Sequence, residues 1–240
     1  MRRFFAGDMD LTADAVTLSG DEARHIVRVL RMRPGDELLL ISGAGEECSA
    51  VIEDCGEDRV SLKIKERSLS SAEPHTNVTL YQCLPKQGKM EVIIQKCVEL
   101  GVHRIVPVAS KRCVVKLDGR DNKLTRWNRV SQEAAKQCGR AFVPEVTAPK
   151  KLSELDLSLH EKAVVAYENE GDLQLKAYLR GLESAPRDIA IIIGPEGGFE
   201  PSEVEEILNK GGVAVSLGSR ILRTETAGMA MLAQIMYELE

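Results

Sequence analysis

The stretch Ile189-Ala190-Ile191-Ile192-Ile193-Gly194-Pro195-Glu196-Gly197-Gly198-Phe199 decides how this chain reads. Its apolar, mostly β-branched start predicts a strand, and Gly-Pro ends it. The three glycines that follow fall within five residues. Lacking a Cβ, they let the backbone adopt positive φ and approach a ligand closely. A loop this poor in side chains can offer bare amides and carbonyls to a flat heterocycle.

The same strand-then-helix rhythm extends to both sides. Strands are expected near 78–84, 104–108, 163–167, 189–193 and 213–217, and helices near 88–100, 121–138, 172–181, 202–210 and 225–239. Such alternation implies an α/β unit with a mostly parallel sheet. Ser202 with Glu205 reads as a capping box, Gly211-Gly212 ends that helix, and Met90, Ile93, Ile94, Cys97 and Val98 form one apolar helical stripe ahead of Gly101. Open parallel sheets bind ligands at the C-terminal ends of their strands. Three loops qualify there: Glu168-Asn169-Glu170-Gly171, the 194–199 loop, and Gly218-Ser219-Arg220-Ile221-Leu222-Arg223-Thr224.

Residues before about 70 follow a different period. Ser19 and Glu22 suggest a capping box for a helix that Pro34-Gly35 must end. Short strands are then expected at 37–42, 48–54 and 59–66, with Val60, Leu62 and Ile64 alternating with polar residues. That describes a small antiparallel sheet or barrel. Residues 67–77 lose periodicity and gain Ser and Pro, so domains are expected at 1–70 and 77–240 with a linker near 67–77.

Composition narrows the function. The 240 residues are 43% hydrophobic and 29% charged, with net charge −5, a balance typical of soluble globular chains. The longest apolar runs fall far short of the roughly 20 residues needed to cross a bilayer. Asp8 and Asp10 interrupt any apolar stretch after the Arg2-Arg3 pair, so no signal peptide is expected and the cytoplasm is the expected location. The six cysteines form no C-x-x-C pair and the four histidines no H-E-x-x-H, so no metal site is expected. The cysteines read as small buried residues or inert thiols. Residues 1–73 carry 10 basic and 15 acidic side chains, whereas 104–140 carry ten Lys or Arg against Asp118, Asp121 and Glu133. Arg24, Arg28 and Arg31, at i, i+4 and i+7, share one helical face. Two basic clusters in an acidic chain point to a polyanion, because phosphate binding needs local rather than net charge.

Familiar nucleotide motifs are absent. There is no G-x-x-x-x-G-K-[ST] and no G-x-S-x-G, and Gly43-Ala44-Gly45 lacks the third glycine of a dinucleotide fingerprint and lies in an expected hairpin turn.

The 194–199 motif combined with Leu217-Gly218-Ser219-Arg220-Ile221-Leu222-Arg223-Thr224-Glu225-Thr226-Ala227 resembles the signature of the RsmE family, bacterial 16S rRNA N3-uridine methyltransferases of the SPOUT superfamily. The resemblance continues through His25-Ile26-Val27-Arg28-Val29-Leu30-Arg31, residues 96–101, and Glu133-Ala134-Ala135-Lys136-Gln137-Cys138-Gly139-Arg140. It implies an N-terminal PUA-like β-barrel that binds RNA, and a C-terminal SPOUT α/β domain with a deep trefoil knot. It also implies a homodimer and S-adenosylmethionine as cofactor. By that resemblance, Glu168, Gly194, Pro195, Glu196, Gly197, Gly198, Leu217, Gly218, Ile221, Leu222 and Arg223 are the cofactor-binding candidates. Arg223 is the candidate cation for the uracil anion, and Glu225 or Glu196 could position groups or accept the proton; no sequence argument chooses between them. Arg24, Arg28 and Arg31, together with Arg126, Trp127 and Arg140 of the second cluster, are expected to grip ribosomal RNA. The alternatives are a non-enzymatic RNA-binding or ribosome-assembly protein, which would not require the two glycine-bearing loops, and a nucleotide-dependent oxidoreductase or ligase, which would require the missing phosphate fingerprint.

Overall fold

The computed structural model describes residues 1–6, 11–43, 45–86, 88–113 and 121–240. Ala44 of the expected 43–46 turn, and Lys116, Asp118 and Arg120 of the basic stretch, lie outside the described residues. The chain forms two compact units. One comprises 1–73 with 135–143, the other 74–134 with 144–240.

The first unit is a five-stranded sheet of β1 (Arg2–Phe5), β2 (Ala15–Ser19), β3 (Glu37–Ile41), β4 (Glu46–Cys55) and β5 (Arg59–Leu69), in the order β1-β3-β4-β5-β2. The expected alternation in β5 turns Val60, Leu62 and Ile64 into the core, where they join Leu18, Leu38, Leu40 and Ile52. The sheet is not wholly antiparallel, since β1 runs parallel to β3. Two strands escaped the sequence reading because each is short, and β1 buries two adjacent residues, Phe4 and Phe5, instead of alternating. Regular pairing in β5 continues through Leu69 and the next strand begins at Asn77, leaving 70–76 as the irregular connection.

Glu22 does not close a capping box. Ser19 has extended backbone but makes no side-chain cap, and Glu22 pairs with Lys136 instead. Helix α1 (Gly20–Arg24) passes directly into a π turn over His25–Val29. Arg31 then has φ of 53°, so it stands beyond the helix and does not continue one straight face with Arg24 and Arg28.

The second unit contains β6 (Asn77–Cys83), β7 (Arg104–Ala109), β8 (Glu145–Val146), β9 (Lys150–Lys151), β10 (Lys162–Ala166), β11 (Asp188–Ile193) and β12 (Val213–Val215), all parallel. The order is β12-β10-β11-β6-β7-β8, with β9 also on β7. Its helices are α2 (Lys89–Glu99), α3 (Asp121–Cys138), whose last four residues belong to the first unit, α4 (Leu175–Arg180), α5 (Pro201–Asn209) and α6 (Thr224–Leu239). Strands β6 and β11 are buried along almost their whole length, as expected for central parallel strands covered on both faces. The cap of helix α5 lies two residues before the expected one, because Pro201 fits the first helical turn and Glu200 takes the cap position. The reciprocal box is Glu200 with Glu203. The Glu200 amide donates to Glu203 Oε2 at 2.9 Å. At the N-terminal edge of the sheet, Tyr81 Oη and His160 Nε2 are hydrogen-bonded at 2.8 Å, and His160 Nδ1 meets Asp188.

Candidate active site

Strands β10, β11 and β12 deliver the three expected loops to one edge of the sheet, where they enclose a cleft of about 690 Å³. The 194–199 loop is shaped by its glycines. The Gly198 amide donates to Pro195 O at 2.9 Å with φ of +67°, a conformation costly to residues with a Cβ. A Cβ there would lie 2.3 Å from Glu168 Oε1, so bare backbone sits directly against a carboxylate. Gly194 is constrained from its other side, where an added Cβ would meet the Phe199 ring at 3.1 Å.

The loops are tied together beneath the cleft by a buried polar chain. Thr224, at the start of α6, donates through Oγ1 to Gly194 O at 2.6 Å and accepts from Gln82 Nε2 at 2.9 Å. Gln82 Nε2 also donates to Cys83 O at 3.1 Å. Both side chains lie in the interior, where such bonds are shielded from water and fix the relative positions of β6, β11 and α6.

At the cleft wall Lys89 bridges two carboxylates. Its Nζ lies 3.0 Å from Glu225 Oε2 and 3.4 Å from Glu196 Oε1, while Glu196 Oε1 accepts the Lys86 amide at 3.0 Å. Burial pulls the Glu196 carboxyl upward, but the amides of Lys86 and Glu196 itself, together with Lys89, hold it below its ordinary value. Glu225 follows the same pattern, with Arg223 adding to the downward pull. Lys89 is raised in turn, chiefly by its bond to Glu225. All three groups are therefore charged at neutral pH.

Of the expected cofactor residues, Glu168, Gly194, Pro195, Glu196, Gly198, Leu217, Gly218, Ile221, Leu222 and Arg223 line the cleft. Gly197 turns away, its carbonyl accepting from Arg112 Nη1 at 2.9 Å. Glu225 reaches the site through Lys89. Thr224, the last residue of the third expected loop, lines the cleft as well, and Lys89 and Tyr167 line it without having been anticipated. The available signal for Lys89 was positional: it follows the turn after β6, the strand beside β11, and so belongs to a fourth loop at the same edge.

The basic residues divide. Arg24, Arg28 and Arg31 are exposed in the first unit, with Arg24 paired to Asp21 at 2.7 Å. Arg126 is exposed on α3 and lies 3.3 Å from Glu91. Arg140 is only 4% exposed, with Nη2 and Nε bonded to Glu73 Oε2 at 2.7 and 3.0 Å. That pairing turns its guanidinium inward and removes it from a phosphate-binding surface. Trp127 is likewise buried, which takes its ring away from an RNA-facing surface. Among the described residues no group of three or more His, Cys, Asp or Glu is disposed to hold a metal ion, and no helix is long and apolar enough to cross a membrane.

A parallel α/β sheet with a glycine-built, carboxylate-bearing cleft at its C-terminal edge defines a small-ligand-binding α/β protein with an appended β unit. Residues 72–236 match the family model described as RNA methyltransferase domain, and residues 18–65 match that of the RNA methyltransferase PUA domain. The chain belongs to the RNA methyltransferase family. It is 36% identical over 253 residues to ribosomal RNA small subunit methyltransferase E of Bacillus subtilis, covering 100% of this chain and 98% of that protein. The crystal structure of ribosomal RNA small subunit methyltransferase E from Neisseria gonorrhoeae bound to S-adenosyl methionine superposes with a TM-score of 0.84 at 30% identity, over 100% of this chain and 98% of that one. A putative Legionella pneumophila methyltransferase in complex with the same cofactor gives 0.80 at 31%, over 97% and 96%.

Proposed function

We propose that this protein methylates N3 of a uridine in the 16S rRNA of the small ribosomal subunit, with S-adenosylmethionine as methyl donor. The observation that carries this reading is the convergence of the 168–171, 194–199 and 218–224 loops on one cleft that combines bare backbone, apolar side chains and charged groups. The cleft fits the donor chemically. Leu217, Ile221 and Leu222 suit an adenine and a thioether, Gly198 admits close backbone approach, and Glu168 offers a carboxylate to polar or cationic parts of the ligand. When bound, S-adenosylmethionine supplies an electrophilic methyl group on a positively charged sulfur.

The chain's own contribution is orientation and charge. Holding the uracil nitrogen in line with the methyl group makes the step effectively unimolecular. The imide N3 must also lose its proton, and the resulting negative charge spreads onto the uracil oxygens. Arg223, exposed at the junction of the last loop and α6, supplies the cation that stabilises it. Glu196 and Glu225, held ionised by backbone amides and by Lys89, position these groups or accept the proton. A paired uridine hides N3 in its Watson–Crick edge, so looped or single-stranded RNA is the substrate form.

The first unit serves as the PUA-like RNA-binding domain, with Arg24, Arg28 and Arg31 on exposed backbone near α1, and the second as the SPOUT catalytic domain. The loops around the cleft form a trefoil knot, and the enzyme acts as a homodimer in the cytoplasm. The deciding experiment incubates under-modified small ribosomal subunits with methyl-labelled S-adenosylmethionine and the protein, then analyses the nucleosides by mass spectrometry. Labelled N3-methyluridine is the expected product. Label on another base, or none despite cofactor binding, would overturn the assignment.

A further inference from the structure

We propose that Cys113 is an oxidisable thiol and Cys83 its resolving partner, a peroxide-sensitive dithiol built against the back of the strand-end cleft. Three of the six cysteines are buried and three partly exposed, and Cys113 packs against the buried apolar cluster to which Cys83 belongs. Cys83 closes β6, in register with Val108 of β7. Cys113 returns to the same place through the turn after β7. Its Sγ accepts the Ser110 amide at 3.4 Å, lies 3.3 Å from Ser110 Oγ, and reaches Val108 O at 3.7 Å. The sulfur is half-buried, so a small oxidant reaches it, whereas Cys83 is enclosed. The contact with Cys83, opposed by burial and reinforced by Ser110, brings the Cys113 thiol down to about 6, and burial pushes Cys83 well up. One thiolate beside one retained thiol is the arrangement that disulfide chemistry uses.

The electron balance needs a hydroperoxide. The Cys113 thiolate attacks the peroxide oxygen, an S–O bond forms as the O–O bond breaks, and hydroxide leaves to yield a sulfenic acid. Cys83 sulfur then attacks Cys113 sulfur. The S–S bond forms, the S–O bond breaks, and water departs with the Cys83 proton. Two thiols are oxidised by two electrons, and an added dithiol reverses the change.

Both partners adjoin the cleft-forming loop. Gln82, next to Cys83, holds Thr224 and through it Gly194, and Arg112, next to Cys113, holds Gly197 O. Joining the two sulfurs strains both attachments of the 194–199 loop. This consequence for the cofactor rests on the proposed methyltransferase reading; the thiol chemistry does not.

The test treats the reduced full-length protein with graded hydrogen peroxide and maps tryptic peptides by mass spectrometry. Peptide 68–86, which holds Cys83, should become linked to peptide 113–116, which begins with Cys113, with loss of two hydrogens and reversal by dithiothreitol. This should occur at doses that leave Cys55 and Cys138 reduced. Cys83→Ser should instead accumulate a dimedone-trapped sulfenic acid on Cys113, and Cys113→Ser should leave Cys83 reduced. Oxidation of Cys113 no faster than that of Cys55 and Cys138, or pairing with another cysteine, would overturn the proposal. Oxidised wild-type protein should bind S-adenosylmethionine about fivefold or more weakly, recovering with dithiothreitol. Unchanged affinity in the linked protein would overturn the coupling to the cleft alone.

Discussion

At the scale of the residue, the cleft depends on a few atoms. Gly198→Ala places a methyl group 2.3 Å from Glu168 Oε1 at positive φ, so we expect about 1–2 kcal/mol of destabilisation and a clear loss of S-adenosylmethionine affinity in titration calorimetry. Arg223→Ala should lower kcat by about 10²–10³-fold, a larger effect than its loss of cofactor affinity, which steady-state kinetics and calorimetry separate. Lys89→Met removes a cation from two carboxylates that sit below their ordinary value of 4.5. Their pKa values should rise, moving the acid limb of the rate profile to higher pH, and Lys89→Arg should restore it. The same sign governs stability. A depressed carboxylate stabilises the fold fully above pH 4.5, and that contribution disappears as pH falls through its lower folded value. Much of this site was legible in the sequence, because glycines after apolar strands announce loops that approach a ligand. Lys89 was not, since a lysine at the start of an amphipathic helix carries no mark of its partners. Arg140 misled for the reverse reason: a run of basic residues does not reveal which one turns inward to meet a distant glutamate.

Elements show where local rules compete. Five of the seven strands of the second unit, and its helices, fell close to their expected positions, because each of those five strands is a dense apolar run; β8 and β9 were missed, since Glu145-Val146 and Lys150-Lys151 are two residues each and carry no apolar pattern. The α5 cap moved because two possible boxes, Glu200 with Glu203 and Ser202 with Glu205, differ by two residues, and Pro201 favours the earlier start. Glu203 is buried and also accepts the Lys111 amide at 2.7 Å, so Glu203→Ala should cost about 1–3 kcal/mol in chemical denaturation by leaving buried donors unpaired. The π turn after α1 was invisible to a periodicity of 3.6 residues. It leaves Arg28 and Arg31 exposed on different backbone, one within the turn and one past it. Replacing both with Ala should reduce the salt dependence of RNA binding by about two charges while S-adenosylmethionine affinity stays the same. A filter-binding series over salt concentration checks this, and an unchanged slope would place RNA recognition on other residues.

For the whole molecule, chain order and spatial order differ. Glu73 Oε1 accepts the amides of Ala141 and Phe142 at 2.8 and 3.0 Å while Oε2 holds Arg140, so one carboxylate fastens the 135–143 segment into the first unit. Gly45 adds an amide bond to Ala141 O at 3.0 Å. Glu73→Ala removes the carboxylate that holds a buried guanidinium and two backbone amides and should destabilise the protein by about 3 kcal/mol, read from thermal or denaturant unfolding. Sequence alone placed a single boundary near 70, because composition and periodicity are local properties, and a segment that returns after sixty residues of another unit leaves no local trace.

That return has a consequence for synthesis. A chain emerging from its amino end presents strands β1 to β5 first, yet Arg140 and the amides that satisfy Glu73 arrive only after β6, α2, β7 and most of α3 have been made. The first unit therefore waits for its final segment while residues 74–134 of the second have already been made, and the two are completed in an interleaved order instead of one after the other.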